Sequence, residues 1–343
     1  MSSVSADIQR RYWENNQLHG LILELTHRCP CRCKHCYVVH SPQADGLTTA
    51  EVLDLLDQAR EEGVFHLTLT GGEVMLRKDI FTIIEKARQD GHKVTLLTSG
   101  LTLDDDQADK LATLGIFSVE LSVLGASAAV NDDLMQVPGA LERICRAARM
   151  LRERGVPVVL KATVMRPNAG ELQAMDDLAR ELDCQFNASP SVVACRNGDT
   201  DPLELALSNE ELAELDQSLL NGGLIPGEDS SQGATLICKA GRTVAGISPK
   251  GDVYPCIMWP RSIGNIRERR LKDIWHTNPD EFLVAIRELE DKDISGCLEC
   301  DIQRYCKRCP GMAWQENQTF AGPASTICAA AQGYAQGIKN SRK

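Results

Sequence analysis

Aromatic residues are scarce, at 4% of the chain, so the core must be built mainly from Leu, Ile, Val and Ala. No apolar run approaches the roughly 18 residues that a membrane-spanning helix needs. The opening residues, MSSVSADIQRRYW, hold no apolar stretch, which excludes a secretory signal. A long basic stripe is absent too, and 37 Lys and Arg against 48 Asp and Glu leave a net charge of −11. That balance disfavours nucleic acid and anionic membrane as partners, while a basic peptide, or one with a basic leader, would be tolerated. With 25% charged and 43% hydrophobic residues, the composition is that of a globular protein, not a disordered or collagen-like one. Its 343 residues suffice for about two domains with a core that needs no disulfides.

Cysteine, by contrast, is abundant: the chain has fourteen. Without a signal the chain reads as cytoplasmic, where thiols stay reduced and clustered cysteines argue for metal rather than bridges. Cys29, Cys31, Cys33 and Cys36 form a first group. Cys238, Cys256, Cys297, Cys300, Cys306, Cys309 and Cys328 form a second, with Cys145, Cys184 and Cys195 scattered between.

From residue 21 to about 195, β-rich runs at 21–26, 65–70, 93–98, 117–123, 156–165 and 185–193 alternate with helical patterns. The helices are expected over 49–62, 79–90, 107–114, 139–154 and 170–182. Thr49, Leu53, Leu56 and Ala59 show the period of a helix with one buried face. Gly63, Gly91, Gly115 and Gly155 fall where helices should stop. Six βα repeats predict an α/β fold whose parallel sheet is closed or partly closed into a barrel, with ligand groups in the loops at the strands' C-terminal ends. The composition turns polar near 197–207, and a short helical stretch at 209–220 leads into a loop. The expected division is an N-terminal segment 1–20, a first domain 21–225 and a second domain 226–343.

Directly after the first strand, Cys29, Cys33 and Cys36 have spacing three then two. Three thiolates can hold three irons of a [4Fe–4S] cube and leave the fourth iron open to a ligand. Zinc is the alternative on spacing alone, with His35 or His40 as fourth ligand. Cys31 falls inside the loop but outside the triple and reads as a bystander, and His35 and Tyr37 as shapers of the loop. The second group, with pairs Cys297/Cys300 and Cys306/Cys309, also suits a zinc knuckle. Seven cysteines, however, are one short of two four-cysteine sites.

The second strand ends in Thr70-Gly71-Gly72-Glu73, the third in Thr98-Ser99-Gly100 and the fourth in Glu120-Leu121-Ser122. The CxxxCxxC triple followed in order by these strand ends resembles the radical SAM superfamily, over residues 21 to about 195. The resemblance implies a partial (βα)6 TIM-like barrel and a [4Fe–4S] cluster on Cys29, Cys33 and Cys36, with S-adenosylmethionine (SAM) on the open iron. It assigns Gly71, Gly72 and Glu73 to the methionine amino group and Ser122 to the ribose or carboxylate, with Ser99 and Lys161 nearby. Two departures stand out: Val74 replaces the usual proline after GGE, and Ser122-Val123-Leu124-Gly125 lacks the usual aspartate.

The C-terminal third is similar to the SPASM extension of that superfamily, which carries auxiliary iron–sulfur clusters. Supporting stretches are Cys238-Lys-Ala-Gly241, Gly251-Asp-Val-Tyr-Pro-Cys256 and Gly264-Asn265-Ile266. By resemblance, Cys297, Cys300, Cys306 and Cys328 would hold one cluster, and Cys238, Cys256 and Cys309 another, nearer the active site. The family's further cysteine before Cys238 is missing from 227–237. The second cluster is therefore expected to be incompletely ligated or [2Fe–2S]. Its fourth ligand would be Cys195, a carboxylate such as Asp229, water or substrate. Cys195 has the alternative of a buried small residue or a hydrogen-atom donor.

The resemblance implies an enzyme that cleaves SAM reductively to a 5′-deoxyadenosyl radical and takes hydrogen from a substrate, with the auxiliary clusters accepting the electron left behind. The leading expectation is a ribosomal peptide undergoing crosslinking, desaturation or epimerisation. The alternatives are tetrapyrrole side-chain chemistry and sulfatase-type protein maturation. From another class comes a non-catalytic iron–sulfur or zinc carrier or scaffold, which would need no SAM pocket. Expected partners are a peptide or small-protein substrate and a reductant such as flavodoxin or ferredoxin. With only about twenty residues before the first strand, leader recognition is expected to fall to a separate protein or the acidic surface.

Overall fold

The computed structural model describes residues 3–39, 46–220, 237–294 and 296–341. The boundary expected at 225/226, Asp229 and His40 lie outside the described residues.

Strands β1 (Gly20–Glu24), β2 (His66–Thr70), β3 (Lys93–Thr98), β4 (Ser118–Ser122), β5 (Val158–Thr163) and β6 (Gln185–Ser189) pair in parallel with their sequence neighbours. The sheet continues past β1 into β7 (Val244–Ile247), β8 (Asp252–Tyr254) and β9 (Gly264–Asn265), in the order β6-β5-β4-β3-β2-β1-β7-β8-β9. β7 lies parallel to β1, with Gly20 opposite Val244, and β8 and β9 return antiparallel. Because β6 and β1 do not pair, the architecture is an unclosed partial barrel. The C-terminal region thus joins the barrel through a shared sheet.

The helices are α1 (Ser3–Glu14), α2 (Thr49–Glu61), α3 (Ile80–Gln89), α4 (Asp105–Thr113), α5 (Ala128–Met135), α6 (Ala140–Glu153) and α7 (Leu172–Glu181), followed by α8 (Asn209–Glu214), α9 (Glu281–Glu288), α10 (Pro310–Asn317) and α11 (Ser325–Ser341). α2 shows why these stretches coil. Thr48 and Glu51 form a reciprocal capping box, and Val52, Leu55, Leu56 and Ala59 bury one face. That face starts at Val52, so Leu53 packs at its margin. Gly63, Gly91, Gly115 and Gly155 follow the helices with φ of +78°, +87°, +61° and +72°.

Five helices, α1, α5, α9, α10 and α11, went unanticipated. α1 is held at the strand-start end, where Tyr12 donates to Gly63 O at 2.9 Å and Trp13 stacks on Arg242 at 4.9 Å. α5 is short, capped by Ser127, and too brief to show a clear period in sequence. The scarce aromatics are concentrated in the C-terminal region, where Trp259, Phe282, Trp314 and Phe320 pack with ring centroids 4.8 to 6.4 Å apart. Among the described residues no helix is long and apolar enough to cross a membrane.

Candidate active site

β1 delivers the chain to the end of the barrel where the cysteine loop begins. The loop is pinned to α5: Arg32 N–H donates to Met135 O at 3.2 Å and Lys34 N–H to Leu134 O at 3.0 Å. Within it, the Arg32 guanidinium donates to Cys29 O at 2.9 Å and Cys31 O at 2.7 Å, and Cys36 N–H to Cys33 O at 3.0 Å. Cys29, Cys33 and Cys36 remain partly exposed, whereas Cys31 is buried in the core, 2% exposed, though still beside Cys29 and Cys33. Burial pushes the Cys36 thiol up to about 11, with Cys29, Cys195 and Glu24 adding to the rise. Thiols crowded in this way repel one another as thiolates, and bound iron is what would keep them ionised. Among the described residues no His, Cys, Asp or Glu group closes around a single metal ion, whereas a cube with iron at separate corners spaces its thiolates more widely.

The GGE turn packs directly against this loop. Gly72 N–H donates to Thr26 O at 2.6 Å and Glu73 N–H to Arg28 O at 2.7 Å. A Cβ on Gly71 would fall 2.3 Å from Thr26 O, and one on Gly72 2.4 Å from Arg28 O. Gly71 also has φ +139°, so both glycines are required by close backbone approach and one by conformation as well.

Glu73 is fully buried. Its Oε1 accepts from Met75 N at 3.0 Å and from the Thr98 hydroxyl at 2.6 Å. Its Oε2 accepts from Ser99 N at 2.8 Å and from the Ser99 hydroxyl. A carboxylate offers about four acceptor positions, and the protein fills all of them. The Glu73 side chain therefore braces the β2 turn to the β3 turn. Ser99 is likewise committed to Glu73. Replacing Glu73 by Gln puts an amide N–H₂ against donors, and we expect a loss of about 1–3 kcal/mol in urea unfolding. A stability within about 0.5 kcal/mol of wild type would contradict the brace.

Ser122 and Glu120, two apart on β4, share the face of the sheet that carries Lys161 of β5. Ser122 lies opposite Lys161, and Lys161 Nζ donates to Glu120 Oε2 at 2.8 Å. The loop after β4, where the usual aspartate is missing, receives a carboxylate from elsewhere. Glu171 accepts from Ala126 N at 2.7 Å, Ser127 N at 3.0 Å and Ser127 Oγ at 2.5 Å. A cavity of 880 Å³ is walled by Thr95 of β3, by residues of β4–β6 near their starts, including Glu120 and Gln185, and by Asp183 just before β6. It lies away from the strand ends that bear the cysteine loop, so it is not the site of the cysteine chemistry.

The second cysteine group divides spatially. Cys306 lies within electrostatic reach of Cys328, Cys297 and Cys300, and Cys256 within reach of Cys238 and Cys309. Burial pushes both Cys306 and Cys256 up to about 11. Cys195 joins neither set: its Sγ donates to Cys36 O at 3.4 Å, which puts it against the first loop. Cys145 is buried on α6, and Cys184 stands just before β6.

The comparisons with known proteins follow this division. The model of the radical SAM superfamily matches residues 23–179, and that of an iron–sulfur cluster-binding domain, SPASM, matches residues 238–310. The PqqA peptide cyclase of Xanthomonas oryzae pv. oryzae is 30% identical over 336 residues, covering 92% of this chain and 89% of that protein. The chain belongs to the radical SAM superfamily. It is a radical SAM enzyme that binds a [4Fe–4S] cluster and SAM, and its SPASM domain binds auxiliary iron–sulfur clusters. The AdoMet-dependent heme synthase of Methanosarcina barkeri is 28% identical over 321 residues, covering 85% of this chain and 90% of that protein. Among solved structures, SuiB of Streptococcus suis bound to S-adenosylmethionine superposes with a TM-score of 0.73 at 18% identity, over 95% of this chain and 81% of that chain. That likeness is one of fold.

The residues present fit these cofactors. Around the first loop, His35 Nδ1 and Arg196 Nε are buried with no hydrogen-bond partner in the protein, which leaves them for polar groups of a bound cofactor. Burial lowers His35 to about 4, so its ring is neutral at pH 7. Sequence reasoning did not find Glu24, Glu171 or Arg196, and named Thr98 only as part of the turn after β3. The first three are ordinary charged residues with no motif around them.

Proposed function

We propose that this radical SAM enzyme oxidatively modifies a ribosomal peptide. Cys29, Cys33 and Cys36 would hold the SAM-binding cluster, Cys297, Cys300, Cys306 and Cys328 one auxiliary cluster, and Cys238, Cys256 and Cys309 the other. The observation that carries the reading is 30% identity to a peptide cyclase across 92% of this chain. A second solved structure of the same fold is SuiB bound to its precursor peptide, SuiA. When bound, the cluster and SAM supply one-electron reductive cleavage that yields a hydrogen-abstracting carbon radical.

The protein's part is placement. Glu73 fixes the turn carrying Gly71 and Gly72, whose main chain would take the methionine amino group. Ser122 would meet the ribose or carboxylate, and Lys161, neutralised by Glu120, stands on the same face. The half-buried Cys238, Cys256 and Cys309 would hold the cofactor that receives the substrate's second electron, giving a net two-electron oxidation. A reductant of the flavodoxin or ferredoxin class would feed the first cluster.

Co-expression with each short open reading frame beside the gene, followed by high-resolution mass spectrometry, tests this. A loss of two hydrogens from one peptide is the expected result. Exchange of one hydrogen in deuterated water would instead mark epimerisation. Unchanged masses throughout, with SAM cleavage intact, would reject the peptide reading. The second reading, tetrapyrrole side-chain oxidation, is favoured by 28% identity to a heme synthase and would then be assayed directly.

A further inference from the structure

The sheet does not close: β6 forms one edge, while β1 pairs with β2 and β7. An ion pair spans that gap. Arg196, in the segment after β6, donates from Nη1 to Glu24 Oε2 at 2.5 Å and from Nη2 to Glu24 Oε1 at 2.8 Å. Glu24 ends β1 and is 1% exposed. Burial alone would raise its carboxyl, but His27 and Arg196 hold it below the ordinary range. The Tyr37 hydroxyl donates to the same carboxylate at 3.1 Å, and Arg196 Nη2 also reaches Ile257 O at 3.2 Å.

These partners adjoin the cysteines of two sites. Tyr37 follows Cys36 and Ile257 follows Cys256. The segment is stitched to the first loop again, by Arg196 N–H to Tyr37 O at 3.2 Å and by the Cys195 thiol to Cys36 O. The guanidinium itself stands 5.4 Å from the Tyr37 ring centroid and 5.6 Å from that of Tyr254. A planar fork between two rings and two loops has little freedom to shift.

We propose that Arg196 is a positioning residue that sets the spacing between the loop carrying Cys36 and the segment carrying Cys256 across the open side of the barrel. The inference rests on the reading that these two cysteines hold separate clusters. A buried ion pair contributes little net stability, because desolvation offsets the attraction. Its consequence here is geometric, since removing the fork frees two cluster-bearing segments to move apart.

The test uses reconstituted holoenzyme of Arg196→Lys and of the double variant Glu24→Met/Arg196→Met, which leaves no lone buried charge. Iron and sulfide content, the spin–spin interaction between the reduced clusters by pulsed EPR, and modified peptide formed per SAM cleaved are measured. We expect wild-type iron, an altered spin–spin interaction in both variants, and at least a tenfold fall in product per SAM cleaved. An unchanged interaction and ratio would overturn the role of Arg196. So would loss of iron from both variants, which would make the pair a retention device. A wild-type enzyme without two interacting clusters would instead overturn the cluster reading beneath it.

Discussion

Cys33→Ala is expected to abolish 5′-deoxyadenosine formation. Cys33 is the middle thiol of the only triple in the first group with spacing three then two. Cys31, two residues away, falls outside that spacing, and its side chain is buried in the core, 2% exposed. The loss should far exceed the about 10–100-fold that removing an outer-shell partner costs a metal site. The matching variant Cys31→Ala should retain the cluster, at a cost in packing of about 1 kcal/mol. The check is 5′-deoxyadenosine by liquid chromatography after dithionite reduction, with iron counted on the same sample. Cleavage surviving in Cys33→Ala would reject the assignment of the triple.

Gly72→Ala should destroy the site without touching a ligand. The added Cβ would meet Arg28 O at 2.4 Å and Arg28 C at 2.8 Å, and both are backbone atoms of the cysteine loop. A flexible side chain could swing aside, but this backbone is held by Glu73 N–H donating to Arg28 O at 2.7 Å. Overpacking of this kind costs about 1–3 kcal/mol, and the strain falls on the segment leading to Cys29. Gly72 has ordinary φ, so alanine is refused there by contact alone. We expect lower iron retention, SAM cleavage reduced at least about tenfold, and a lower urea midpoint. Gly170→Ala, where an added Cβ meets nothing within 4 Å, serves as the control and should change none of these. Wild-type iron and cleavage in Gly72→Ala would show that the loop yields, against the close packing described.

The alternation of strands and helices was legible because burial repeats locally. Leu21 and Leu23 point one way from β1 while Ile22 points the other, and Val52, Leu55, Leu56 and Ala59 recur at helical spacing. The helix stops were legible for the same reason, since a left-handed residue after a helix favours glycine. The division of the C-terminal cysteines into two sets was reached through family resemblance, since spacing alone left zinc open. α1 and α5 escaped notice because neither carries a long apolar period. The continuation of the barrel sheet into β7 was hidden as well, because pairing between Gly20 and Val244 leaves no local pattern.

By itself the sequence determined the succession of strands and helices through the barrel and the residues that bear the thiols, since each is written in short local patterns, while the cofactor class came from family resemblance. Only the tertiary structure decided where the charged side chains go. Glu73, which the resemblance assigns to SAM with Gly71 and Gly72, has its carboxylate hydrogen-bonded by Met75, Thr98 and Ser99. Glu24 and Arg196, 172 positions apart, meet across the open side of the barrel, and Glu171 reaches back to the loop after β4. Hydrophobic burial is non-directional and shows as periodicity, whereas a hydrogen bond needs one particular partner at about 3 Å, which only the folded chain supplies.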